Sequence, residues 1–91
     1  MTFPFKEIVK DERTKTRTFK SDVSNDELVW HRDRKDRQVK IIQSQGWFFQ
    51  REDELPVSLK PGDVVVIPKE TWHRVIRRNN SGDLVVEINE D

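Results

Sequence analysis

His31 and His73 are the only two histidines in a chain of 91 residues. Asp33 lies two positions after His31, so on an extended backbone the two side chains point the same way. Two imidazoles and one carboxylate can hold a divalent ion with positions left open, the set used for non-haem iron. Fe, Mn, Zn or Ni would each suit it, and the metal reading is His31, Asp33 and His73. Arg37 and Gln38 follow closely. A guanidinium keeps its proton, so Arg37 cannot be a ligand; its fixed charge opposes a cation and attracts an anion. A second reading is therefore a small-molecule pocket for an organic anion. In it Arg37 acts as a bidentate carboxylate clamp beside His31 and His73, and Trp47 and Phe49, two apart, supply apolar lining. Gln38 would enter as a neutral amide if it took the place of Arg37. Strand parity with Val39 and Ile41 puts Arg37 inward. The third reading is structural. Asp33 sits among Arg32, Arg34, Lys35 and Arg37 and pairs with an arginine, while Glu27 and Arg77, of the same inward parity, pair with each other.

These residues need strands to aim them. Pro61-Gly62-Asp63 is a turn: Pro61 presets φ, Gly62 accepts positive φ, and Asp63 binds nearby backbone amides. Val64 to Ile67 is β-branched throughout, and Pro68 ends it. After Lys69 to Trp72 a strand restarts at His73 and runs to Arg78. Elsewhere the pattern predicts strands over Lys6 to Val9, Thr14 to Phe19 (at an edge), Glu27 to His31, Arg37 to Gln43, from Trp47, Leu55 to Leu59, and Leu84 to Ile88. Ser21 to Asp26, Ser44 to Gly46, Arg51 to Glu54 and Asn79 to Gly82 are turns. About eight short strands with regular turn signals make an all-β sandwich or barrel. No helical stripe, repeat or linker is visible.

The stretch Pro61-Gly62-Asp63, Ile67-Pro68 and His73 resembles the second signature motif of the cupins at every defining position. Their first motif, G-x5-H-x-H-x3-4-E-x6-G, has a degenerate counterpart in Trp30 to Arg37 and on to Gly46. His31 takes the first histidine, Asp33 replaces the second, and Arg37 or Gln38 falls on the glutamate. Asn25 stands where the first glycine belongs. The resemblance implies a cupin-type jelly-roll β-barrel in one domain over residues 1–91. Its N-terminal strands or arm would be 1–23, the degenerate motif 24–46 and the intact motif 59–75. It implies a small-molecule-binding protein with His31, Arg37, Gln38, Trp47, Phe49 and His73 around the ligand. The alternatives it carries are a metal-dependent dioxygenase, isomerase or lyase with one divalent ion, and an assembly protein that kept the fold and lost the site.

Composition narrows the partners. Lysine plus arginine equals aspartate plus glutamate at 17 each, which argues against nucleic acid held by bulk charge. There is no cysteine, so no disulfide and no thiolate metal site. No apolar run approaches the ~20 residues of a membrane span, and no hydrophobic signal core opens the chain, so a cytoplasmic protein is expected. With 33% hydrophobic and 37% charged residues, the core must be small. Strands such as Val64 to Ile67 are apolar on both faces. Trp30 and Trp72 each precede a site histidine and so face away from it. Both features favour a homodimer that covers the outer face.

Overall fold

Alternating β-branched and aromatic residues, cut by turn residues every few positions, fold the described residues of this chain into eight strands. The computed structural model describes residues 3–91; the first two residues of the expected N-terminal arm lie outside the described residues. The strands are β1 (Lys6–Val9), β2 (Thr14–Phe19), β3 (Arg37–Gln43), β4 (Trp47–Arg51), β5 (Val57–Ser58), β6 (Val64–Ile67), β7 (His73–Arg77) and β8 (Leu84–Glu90). They form two antiparallel sheets in the orders β1-β2-β8-β3-β6 and β5-β4-β7, the two layers of a jelly roll. Among the described residues there is no α-helix, and no helix long and apolar enough to cross a membrane.

The inward positions carry the core. Phe19 of β2, Val39 and Ile41 of β3, Trp47 and Phe49 of β4, Ile67 of β6 and Leu84, Val86 and Ile88 of β8 are buried together. Trp47, Ile41 and Leu84 are the largest fully buried side chains, each worth roughly 1.5–3 kcal/mol or more of burial. Burial would strand the indole N–H of Trp47, so it donates to the Gly82 carbonyl at 2.8 Å. Gly46 just before it has φ +78°, and a Cβ there would meet Ser81 Cβ at 3.1 Å and Cα at 3.2 Å. Glycine alone fits that turn. The Gly62 turn also forms as expected, with φ +92° at Gly62 and the Asp63 carboxylate accepting from Lys60 N at 2.9 Å.

Four expectations are corrected. Thr14–Phe19 is not an edge strand; it lies between β1 and β8. Glu27 to His31 is not a strand: Asn25–Glu27 is a 3-10 turn. The Ser24 hydroxyl accepts from Asp26 N at 3.2 Å, and the Glu27 carboxylate accepts from Ser24 N at 3.4 Å. This Ser-x-x-Glu capping box overrides the alternation of a few apolar residues. Leu55 to Leu59 contracts to Val57–Ser58, and the last strand extends to Glu90.

Inward parity continues past the apolar core into charge. Lys15 and Arg17 share the face of Phe19, Glu90 that of Ile88, and Arg37 that of Val39. Several large apolar side chains remain exposed. Ile42, pushed out by a bulge between Ile41 and Gln43, is exposed, as are Val64 and Val66 of the edge strand β6. Trp30 and Trp72, about 40% exposed, are partly covered within the chain. The Arg74 guanidinium lies 4.5 Å from the Trp30 ring and that of Arg32 5.2 Å from Trp72.

Candidate metal centre

Pro68 stops β6 and releases the chain into a loop that returns as β7 at His73. That loop grips the segment carrying Asp33. Glu70 N donates to the Asp33 carbonyl at 2.7 Å, and Lys69 N to the Asp36 carboxylate at 2.7 Å. His31 lies directly beside His73. It forms an isolated bridge with His73, each N–H donating to the other's carbonyl at 3.0 and 2.8 Å. The two rings then meet edge to face, with centroids 4.3 Å apart. His73 is buried and His31 exposed.

His31, Asp33 and His73 come together, with one potential ligand atom from each lying within 4.8 Å of the others. The backbone sets the tautomers. His73 Nδ1 is 2.8 Å from the Thr71 carbonyl and His31 Nδ1 3.1 Å from the Val29 carbonyl. A carbonyl only accepts, so Nδ1 carries the proton and each Nε2 keeps a lone pair. Such a carbonyl contact is how metal-binding histidines are oriented. His73 Nε2 lies 3.4 Å from Asp33 Oδ2. This is not an ion pair at neutral pH. Burial, reinforced by the neighbouring His31 and by the Arg37 charge, holds the His73 imidazole below its ordinary value, against the Thr71 carbonyl and the Asp33 charge. Two lone pairs therefore face each other across 3.4 Å, and Asp33 Oδ2 is buried with no hydrogen-bond partner. A cation between them would satisfy both, so the residues present fit a divalent ion.

The other oxygen of Asp33 is accounted for. Arg37 Nη1 reaches Asp33 Oδ1 at 3.1 Å, while Arg37 Nε reaches Glu90 at 3.2 Å. Glu90 also takes Lys15 at 2.7 Å, and Glu7 takes Arg17 at 2.6 Å and Lys15 at 3.9 Å. The carboxylates of Glu7, Asp33 and Glu90 balance the cations of Lys15, Arg17 and Arg37. Arg37 thus points inward, as strand parity required, but is held by two carboxylates rather than free to clamp an anion.

The remaining sequence-derived candidates scatter. Phe49 borders the cavity beside the centre and lies 5.7 Å from the His73 ring. Trp47 is sealed in the core away from that cavity, and Gln38 is exposed on the outer face of β3. Glu27 and Arg77 do not pair with each other. Glu27 caps Ser24, and Arg77 Nε donates to the Val23 carbonyl at 2.6 Å. Glu90 and Arg17 were missed. The alternation of Leu84, Val86 and Ile88, carried one step further, reaches Glu90; Arg17 had only its parity with Phe19.

The cavity has a volume of about 370 Å³. Its polar lining is Arg17, Glu27, His31, Asp33, Arg37 and His73; the rest of the wall is apolar. The fold has known counterparts. A cupin domain from Bordetella pertussis superposes with a TM-score of 0.66 at 20% identity, over 100% of this chain and 98% of that one. A cupin-like protein from Thermotoga maritima gives 0.67 at 23% identity, over 93% of this chain and 65% of its own. The iron(II) form of HppE gives 0.68 at 10% identity, over 86% of this chain and 41% of its own. This chain therefore spans less than two thirds of either of the latter two. No family model and no curated protein matches the sequence.

Proposed function

Starting from a chain with the cupin fold, we propose that it is a metal-dependent small-molecule protein whose divalent ion is held by His31, Asp33 and His73. One observation carries this reading. Asp33 Oδ2 is buried without a partner and faces the free lone pair of His73 Nε2. Charges that only satisfied one another would not leave that oxygen bare. An organic-anion clamp at Arg37 has less support, because Asp33 and Glu90 already occupy the guanidinium.

Two imidazoles and a carboxylate suit non-haem iron, with Mn, Zn and Ni as alternatives, and the similar fold of HppE is known in an iron(II) form. Such an ion, when bound, supplies Lewis acidity and open positions for oxygen donors. The chain does the rest. Thr71 and Val29 carbonyls fix the two imidazoles, Arg37 holds Asp33 by its other oxygen, and the apolar wall limits water. Elemental analysis after loading with iron(II), manganese(II), zinc(II) or nickel(II) tests the proposal. About one ion per chain is expected in the wild type. Loss of at least tenfold in affinity is expected in Asp33→Ala and His73→Ala. Wild-type protein that retains none of the four ions would sink it.

A further inference from the structure

We propose that the cavity takes a compact, mostly apolar molecule with one anionic oxygen head group, such as a carboxylate. This deepens the reading above and rests on it for the head group. The wall is built from core side chains of both sheets, among them Phe19, Val39, Ile41, Phe49, Val65 and Val75. Phe3, which stacks on Phe5 at 5.4 Å, and Val29 are lining residues that remain exposed, and both are apolar as well.

The charges in that wall already have partners. Arg17 is bound by Glu7 at 2.6 Å and covers the Phe5 ring at 4.0 Å. Glu27 closes its capping box, and Arg37 is shared by Asp33 and Glu90. The acceptor atoms that suit a metal gather at one spot, the Nε2 atoms of His31 and His73 and Asp33 Oδ2. A ligand inside therefore finds this centre at one end and a wall that is otherwise mostly apolar, its other charges already paired or capped. A sugar or sugar phosphate would press its hydroxyls against apolar wall and lose their hydrogen bonds to water without replacement. A volume of about 370 Å³ lies near the small end of ligand pockets and holds roughly a dozen water-sized groups. The sign of the head group follows from charge. The surrounding ion pairs balance, so a bound dication makes the centre attractive to an anion.

Titration calorimetry on manganese(II)-loaded and metal-free protein tests this, using butyrate, pentanoate, hexanoate, the matching alcohols and mannose 6-phosphate. Each added methylene should tighten binding about fourfold in acids and alcohols alike. Manganese should tighten the acids and leave the alcohols unchanged. Affinity that is flat with chain length, or mannose 6-phosphate binding more tightly than hexanoate, would overturn the apolar class. A length ladder with no manganese effect, on protein shown by elemental analysis to carry the ion, would overturn the head group while upholding the apolar wall and the metal reading; protein that takes up no manganese would overturn the metal reading itself. Val65→Phe, which fills the cavity from β6, should flatten the ladder. Val75→Leu, a smaller intrusion from β7, should weaken it if the first variant fails to fold. A ladder unchanged in a folded variant would place binding elsewhere and defeat the proposal.

Discussion

Arg37 shows how one residue's role turns on its neighbours. Its side chain is 11% exposed and that of Asp33 9%, so their pair is largely shielded from water. Removing the cation leaves Asp33 without its counter-ion and Glu90 with Lys15 alone. Arg37→Ala should therefore cost about 2–3 kcal/mol of stability, somewhat less than for a pair sealed from water. Urea denaturation of metal-free protein measures it. Arg37→Glu should be worse without metal, since it adds a third carboxylate, yet should gain more melting temperature than the wild type when manganese(II) is added. Equal stability and equal manganese response in both variants would mean that Arg37 does not hold Asp33.

At the scale of elements, the turn between β3 and β4 sets the depth of Trp47. Gly46 has positive φ and sits against Ser81, and the next residue must deliver an indole to the Gly82 carbonyl. Gly46→Ala adds a methyl group at 3.1 Å from Ser81 Cβ in a conformation that alanine resists. The expected loss is about 2 kcal/mol, read as a lower denaturation midpoint together with a red shift of tryptophan emission. Gly62→Ala has only the positive φ to contend with, because nothing lies within 4 Å, and should cost less. An equal loss at both sites would show that contact with Ser81 is not what matters at Gly46.

For the whole molecule, burial lowers the proton affinity of His73 relative to its ordinary value of 6.5. The unfolded chain then binds a proton more readily than the folded one as pH falls below 6.5, so acidification favours unfolding in that window. Glu90 acts in the same direction lower down. The hydrogen bond from Lys15, joined by Arg37, holds its carboxyl below the ordinary 4.5 despite some desolvation. The stability that it contributes is present above pH 4.5 and lost as pH falls further. Metal-free protein should thus lose stability from about pH 6.5 downward, followed by urea midpoints between pH 7.5 and 4 in the presence of a chelator. A flat profile down to pH 5 would mean that His73 is not held neutral by its surroundings.

The sequence by itself determined the bounds of β1, β2, β3 and β6, and nearly those of β4, β7 and β8, while overextending β5, because alternation, β-branching and the turn residues at Gly46, Gly62 and Pro68 are local signals. It also marked His31, Asp33 and His73 as a group and set Arg37 inward by parity. Only the tertiary structure decided what Arg37 does, because its partner Glu90 lies 53 positions away and no local pattern links them. The same holds for the pairing of His31 with His73, which replaced an expected strand by one bridge, and for Lys15 and Arg17, read as edge residues and found on the inner face between β1 and β8. Side-chain period tells which way a residue points. Which charges meet there is set by sheet order and register, and those are fixed by packing between distant segments of the chain.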